Sequence, residues 1–349
     1  MLCLMSPTEA GTASDGVRLL SHRPSVLYKV EHLATEPVEG DIAVEGLVLA
    51  GPAWAERLKE LLGSLSQSER ACLFAVRLSD DQALPMPAHT LLDRSRTDWF
   101  PDFLSHGQMK PHFQPIVDLR DGSVFGREAL MRGRLGAVDV RGGELLAAAE
   151  AHDALFSFDY RARTAALEVG LPLLPDGEVL FVNLDPRAVL DVEGSLRTTW
   201  PVVGRMGADP SRICLELVKP ERCPDRDMLS ELVTAHRKRG AMVALDDMSA
   251  GAESLHYLEL LRPDVVKIDN ALTAGIQHSA ARRRLVAALV DCAHEQGCKV
   301  VAEGVERVDE FQAMADLGVD LGQGFYFGQP TERPMAVDVR LVRPRAELV

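Results

Sequence analysis

From about Phe100 onward, short apolar runs alternate with longer stretches of helical spacing. Val179–Leu184, Ile213–Leu217, Met242–Leu245, Val265–Ile268, Lys299–Ala302 and Leu321–Phe325 read as strands. Pro224–Arg239, Ser254–Leu261, Ala280–Gln296 and Val308–Leu317 read as the helices between them. Strand-then-helix repetition predicts a parallel sheet covered by helices. Six or more such units suit a closed (β/α)₈ TIM-like barrel better than an open sheet, although spacing by itself leaves closure open.

Ahead of this region the pattern is weaker. Residues 1–25, rich in Ser, Thr, Gly and Ala, read as a loose leader. From Ser25 to Ser79 a weakly strand-like stretch precedes Ala53–Leu65, where Trp54, Leu58, Leu61 and Leu62 fall at helical spacing. Cys72–Leu78 then reads as a short strand, and residues 80–98, with Pro85 and Pro87 in polar surroundings, as a linker. The expected organisation is a leader and small α+β segment of unknown role over 1–98, followed by an α/β barrel domain over 99–349.

Composition adds exclusions. With 46% apolar and 26% charged residues the 349-residue chain is globular, long enough for two domains or for one with an extension. Its 38 Lys plus Arg against 52 Asp plus Glu leave a net charge of −14, which disfavours a DNA or RNA polymer as partner. The tight basic run Arg282–Arg284 lies in a helical pattern and reads as a solvated face. A small phosphate ligand remains compatible, provided a cation lies between it and the carboxylates. Six cysteines without a CxxC pair read as reduced thiols, and the pair Cys292 and Cys298 as core packing. No apolar run approaches the ~18 residues of a membrane span and no leader signal opens the chain, so the expected setting is the cytoplasm, without direct membrane insertion.

Each strand of the second region ends in a polar residue that its apolar run does not predict: Glu128, Asn183, Glu216, Asp246 with Asp247, Lys267 with Asp269, Glu303, and Gln323. From Asn183 the intervals are 33, 30, 21, 36 and 20 residues, about one strand–helix unit each. A closed barrel would gather these side chains at its C-terminal mouth. Five carboxylates there would repel one another without bound cations, and oxygen-only donors suit Mg²⁺ or Mn²⁺. The adjacent Asp246 and Asp247 can serve one ion or divide between two. A period of two puts Lys267 and Asp269 on one face, where the lysine could hold an attacking water or neutralise developing charge. Taken singly, each residue reads more readily as a satisfied strand-end group, and Asp246-Asp247 as a helix cap. The series carries the case.

These residues, from about Lys110 to Pro330, resemble the EAL-domain family of cyclic di-GMP phosphodiesterases. The motifs are Phe113-Gln114-Pro115-Ile116-Val117-Asp118, Glu128-Ala129-Leu130-Met131-Arg132, Phe181-Val182-Asn183-Leu184, Leu215-Glu216-Leu217, Asp246-Asp247, Val266-Lys267-Ile268-Asp269, Ala302-Glu303-Gly304-Val305-Glu306 and Gln323-Gly324-Phe325, in the family's order. The resemblance implies an EAL-type variant of the (β/α)₈ barrel that hydrolyses cyclic di-GMP to linear pGpG with Mg²⁺ or Mn²⁺, and a homodimer. Glu128, Asn183, Glu216 and Asp246 would hold a first metal, and Asp246 with Asp247 a second. Glu303 would act through water, Lys267 would orient or deprotonate the nucleophilic water, and Gln323 would complete the shell. Arg132 would contact a substrate phosphate and Gln114 a guanine, with Gln323 and Asp269 also on the substrate side.

Two positions depart from the family pattern. The loop Asp246-Asp247-Met248-Ser249-Ala250-Gly251-Ala252-Glu253-Ser254-Leu255 stands where the family has Asp-Asp-Phe-Gly-Thr-Gly-Tyr-Ser-Ser-Leu, and Lys219 stands where it has a loop-steadying glutamate. A lysine cannot make a glutamate's hydrogen bonds. These departures leave a second class of function beside the enzyme, a receptor or regulatory module that binds cyclic di-GMP without useful turnover.

Overall fold

The computed structural model describes residues 15–34, 46–80, 83–223, 225–249, 251–338, 340 and 342; Cys3 and residues 1–14 of the expected leader lie outside them. The chain divides into two compact units. Residues up to Asp102 form the first together with Ala147–Asp153; Phe103–Leu146 and the residues from Ala154 onward form the second.

In the first unit β1 (Gly16–Ser21), β2 (Leu47–Ala50), β3 (Leu73–Arg77) and β4 (Met86–Pro87) form an antiparallel sheet in the order β2-β1-β3-β4. Alternate residues Val17, Leu19, Leu47, Leu49, Leu73 and Ala75 are buried in one apolar cluster with the helices Pro24–Leu33, Trp54–Ser64 and Ala88–Arg96. Three expectations are corrected here. The part of the leader from Gly16 is a central strand, and the stretch read as weakly strand-like begins as the helix Pro24–Leu33. Nor is the whole of 80–98 a linker: β4 and the helix Ala88–Arg96 lie within it, with Leu91 and Leu92 buried. Pro87 misled because it sits at a helix start, as N-cap of Ala88–Arg96, where a missing N–H costs nothing.

The second unit is a closed barrel. Its strands are β5 (Gln108–Asp118), β6 (Val124–Leu135), β7 (Val138–Arg141), β8 (Val179–Leu184), β9 (Ile213–Leu217), β10 (Met242–Met248), β11 (Val265–Ile268), β12 (Lys299–Ala302) and β13 (Leu321–Gln323). The ring runs β5-β6-β8-β9-β10-β11-β12-β13 and closes through β5, while β7 is appended to β6. From β6 round to β13 the ring neighbours are parallel, but β5 is antiparallel to both β6 and β13. The expected all-parallel sheet is corrected at that strand. Leu119–Ser123, with Gly122 at φ 79°, is a turn that joins β5 to β6 as a hairpin and leaves no room for a parallel crossover.

Ile116, Phe181, Cys214, Ala244, Val265, Val301 and Leu321 fill the barrel interior as one buried cluster. Two larger clusters pack the strands against the surrounding helices, and Cys298 belongs to one of them, with Cys292 packed against it. Among the described residues no helix is long and apolar enough to cross a membrane.

Candidate active site

The parallel register sets the polar strand-end residues side by side. Asn183 on β8 lies beside Glu216 on β9, and Glu216 beside Ala244 on β10. Glu128 on β6 pairs with Phe181 on β8 and with Gln114 on β5. At the centre is Lys267 of β11, only 1% exposed. Its ammonium donates to Glu128 Oε2 at 3.0 Å and to Glu216 Oε1 at 2.5 Å, and lies 2.6 Å from Glu303 Oε1 and 3.6 Å from Asp246 Oδ1. Burial opposes the lysine's charge, but the surrounding carboxylates of Glu128, Glu216, Glu303 and Asp246 outweigh it and hold the ammonium well above the ordinary lysine value.

One cation does not balance these carboxylates. Burial, reinforced by the charge of Glu128, pushes the Glu216 carboxyl well up, and burial raises Glu303 to about 7. Glu128 is buried too, yet Lys267 and the amide donors of Gln323 and Asn183 bring it below the usual carboxylate range. Asp247 is raised by partial burial and by Asp246 and Asp269, against the opposing charges of Lys267 and Lys219.

Carboxylate oxygens gather in two triads that share Glu303. Glu128, Glu216 and Glu303 form one, Asp246, Asp247 and Glu303 the other, each with oxygens within 4.8 Å of one another. Glu216 Oε2 and Asp246 Oδ1 are buried without a hydrogen-bond partner. Orphaned anionic oxygens in an all-oxygen set fit a hard divalent cation, which would satisfy them. Asn183 turns its amide nitrogen to Glu128 Oε1 at 3.0 Å, which leaves its carbonyl oxygen available to such an ion.

The other expected residues are placed as follows. Gln323 donates to Glu128 Oε2 at 2.7 Å and to Gln114 Oε1 at 3.2 Å, while Gln114 donates to Gly328 O at 3.1 Å. Both ends of the Gln114 amide are thus used within the fold, holding Gln323 against Glu128. β11 ends at Ile268, one residue before Asp269, and the Asp269 carboxylate caps the helix Asn270–Thr273 by accepting from Ala271 N at 2.5 Å. Asp269 still faces Asp247 closely enough to raise its carboxyl. Arg132, four residues along β6 from Glu128, is outside the cluster and donates to Met131 O at 2.8 Å. It lines a cavity of about 230 Å³ with Met131, Phe158, Val182 and Asn183.

Sequence reasoning missed the residues that steady this mouth. In the helix Leu155–Leu173, Asp159 pairs with Arg163 at 2.5 Å and accepts the backbone N–H of Asp185 at 3.1 Å, which ties down the chain just beyond Asn183. Glu310 accepts from Gly275 N at 3.0 Å, Glu306 N at 3.1 Å and Arg307 N at 3.2 Å, bracing the segment that follows Glu303. The i,i+4 spacing of Asp159 and Arg163 was the one available signal.

Comparison with known proteins points the same way. The model of the EAL domain matches residues 97–330. Among curated proteins, the probable cyclic di-GMP phosphodiesterase PdeG of Escherichia coli is 24% identical over 257 residues, 70% of this chain and 49% of its own length. The cyclic di-GMP phosphodiesterase NbdA of Pseudomonas aeruginosa is 28% identical over 237 residues, 65% of this chain and 29% of its own. The match thus spans less than half of either relative.

A standalone EAL protein from Vibrio cholerae, solved with c-di-GMP bound, is 27% identical with a TM-score of 0.62, covering 68% of this chain and 98% of that one. Klebsiella pneumoniae BlrP1, in complex with calcium and cyclic di-GMP, is 26% identical with a TM-score of 0.59, covering 71% and 66%. With its closed barrel, its acidic mouth and a family match over 234 of its 349 residues, the chain belongs to the EAL-domain family.

Proposed function

We propose that this chain hydrolyses cyclic di-GMP to linear pGpG with Mg²⁺ or Mn²⁺. The observation that carries the reading is the buried Lys267 ringed by Glu128, Glu216, Glu303 and Asp246, with orphaned carboxylate oxygens beside it. A cluster so short of positive charge is costly as mere structure and suits a site that takes up cations. Glu128, Asn183, Glu216, Asp246, Asp247 and Glu303 are the groups that would hold them. Divalent ions bound there supply positive charge against the phosphodiester.

The chain's own residues do the rest. Lys267 stays protonated and donates into the place where a water must be aligned on the scissile phosphorus. Glu303, 2.6 Å from the Lys267 ammonium and shared by both carboxylate triads, is placed to hold that water by accepting a hydrogen bond from it. Glu128 is kept ionised and fixed by Asn183 and Gln323. From β6, Arg132 offers a guanidinium fork for a phosphate at the edge of the 230 Å³ cavity, whose Met131, Phe158 and Val182 surfaces suit a flat base. Asp269 and Gln114 act as positioning groups, through the helix cap and through Gln323 respectively.

The test is direct. The full chain is incubated with cyclic di-GMP and Mn²⁺ or Mg²⁺, and the nucleotides are separated by chromatography. pGpG is expected, and is expected to vanish with EDTA or in Glu128→Ala. Binding of cyclic di-GMP with no pGpG above the Glu128→Ala background would overturn hydrolysis and leave a receptor.

A further inference from the structure

The helix Gly142–Ala151 is divided between the two compact units: residues 142–146 belong to the second, and Ala147–Asp153 to the first. Its first turn lies against β6, the strand that carries Glu128 and Arg132. A side chain at Gly142 would come within 2.5 Å of Met131 O and 3.3 Å of Arg132 Nη1, and one at Gly133 within 3.1 Å of Leu145 Cδ1. Since Arg132 Nη1 donates to that same Met131 carbonyl, the first residue of the helix abuts the guanidinium and the group that holds it. Gly142, Gly143 and Leu146 line the 230 Å³ cavity together with Arg132.

The other end is fastened within the first unit. Ala151 O, on the last helical residue, has no acceptor role inside the helix and takes a hydrogen bond from Arg94 Nε at 2.6 Å. The same guanidinium pairs through Nη2 with Asp153 at 2.6 Å. His152 Nε2 donates to Thr97 O at 2.8 Å, and its ring lies 5.7 Å from that of Phe100. Arg94 stands in the last turn of the helix Ala88–Arg96, whose Leu91 and Leu92 belong to the core of the first unit. Between the two ends Leu145, Ala148 and Ala149 are buried. Ten residues of α-helix make a rod about 15 Å long, and packed helices respond to force by small rigid shifts rather than by bending.

We propose that the first unit regulates ligand binding at the cavity beside Arg132 through this helix. With Arg94 holding the C-terminal end, the first turn is kept against Arg132 and the cavity wall stays formed. A change in the first unit that releases or shifts the Arg94 clamp moves Gly142, and with it Arg132 and the wall. The inference rests on cyclic di-GMP as the ligand proposed above and deepens that reading, giving the N-terminal unit a task that no chemical signature of its own displays. By linkage the coupling is reciprocal: ligand in the cavity tightens the clamp by the factor by which the clamp tightens the ligand.

The experiment reads binding rather than turnover. Cyclic di-GMP is titrated into the full chain with Ca²⁺, the ion of the BlrP1 complex, and amide hydrogen exchange is followed with and without the nucleotide. Arg94→Met, which removes both contacts of the guanidinium, should weaken binding about tenfold, and Arg94→Lys, which reaches one partner at a time, should lie between. Mn²⁺ affinity, read by electron paramagnetic resonance, should stay unchanged; an equal loss there would mark a general loosening of the barrel and overturn the inference. In the wild type, ligand should slow exchange about fivefold at His152 N, Asp153 N and Thr97 N, which donate to Ala148 O, Glu150 O and Arg94 O. That slowing should vanish in Arg94→Met while protection of residues 142–146 remains. Should a variant lose its fold by circular dichroism, the wild-type exchange pattern decides by itself. Protection confined to residues 142–146, or an affinity indifferent to residue 94, would overturn the inference and leave the phosphodiesterase reading standing. The expected effects without pGpG would support the inference and overturn hydrolysis alone, and a wild type that does not bind cyclic di-GMP would overturn both.

Discussion

The two ends of the barrel handle their carboxylates in opposite ways. At the base, where the parallel strands begin, Glu178 precedes β8, Asp264 precedes β11 and Asp320 precedes β13. Each has a basic partner of its own: Arg127 at 2.7 Å from Glu178, Arg237 at 3.1 Å from Asp264, and His294 at 2.9 Å from Asp320. Asp264 and Asp320 also accept backbone N–H groups of the preceding strand, from Val243 on β10 and Val300 on β12, both at 2.8 Å. At the mouth, Glu128, Glu216, Glu303 and Asp246 share the single buried ammonium of Lys267, and Glu216 Oε2 and Asp246 Oδ1 have no hydrogen-bond partner. Carboxylates that hold a fold together are partnered one for one. Those left in excess of their cations are there for something the chain does not itself contain.

Four measurements would break or sharpen this contrast. The largest effect is expected from Glu216→Gln at the mouth: turnover should fall about 10³-fold, since a carboxylate that would hold the cation facing the phosphodiester is lost. Urea unfolding in EDTA should show the metal-free protein no less stable, because burial already pushes the Glu216 carboxyl towards its neutral form. A matching loss of stability would make the mouth structural, like the base. Next comes Glu178→Gln, which leaves Arg127 buried with its charge unmatched; a loss of about 3 kcal/mol in unfolding free energy is expected, with kcat of the folded fraction nearly unchanged.

His236 asks whether burial without any counter-charge behaves as a third case. Its imidazole is 1% exposed and bonded to Ser195 Oγ at 3.1 Å, and burial followed by the charges of Arg163 and Arg239 lowers it to about 3. The folded form therefore keeps it neutral while the unfolded chain takes up a proton below about 6.5. Its contribution is fully present above that pH and is lost as pH falls from about 6.5 towards 3, at up to about 1.4 kcal/mol per pH unit. His236→Gln should flatten that part of the stability–pH curve, and an unchanged slope would assign it to other groups. The smallest effect is expected for Asp264→Asn. Its pair with Arg237 is about one third exposed and the amide can still accept from Val243, so a loss of about 0.5–1 kcal/mol should appear as a small fall in Tm.

Particular elements show what could be read beforehand. β8, β9, β11 and β12 lie on the residues expected, because unbroken apolar runs are what strands covered on both faces leave in a sequence. β10 runs on through Asp246 and Asp247 to Met248, past two carboxylates that interrupt such a run. β1 was hidden because six residues in a small-residue context carry too little periodicity to register. The site residues stood out as polar interruptions of apolar strands. Asp159, Arg163 and Glu310 did not, since a charge in a helical pattern reads as a solvated one until the packing shows it buried.

The N-terminal unit makes the same point from the other side. Among the described residues none of its buried side chains is polar or charged, and its sheet follows simple alternation. Its core is read correctly once its strands are found, yet it displays no chemical signature.

By itself the sequence determined which groups are available for chemistry and at which strand ends they stand, because apolar periodicity is a local property that burial imposes along the chain. Only the tertiary structure decided that β5 enters the ring inverted, that one lysine is shared among four carboxylates, and that Asp269 caps a helix. These depend on distances between residues far apart in the chain. The energy of a charge depends on those distances and on its exclusion from water, neither of which a run of residues records.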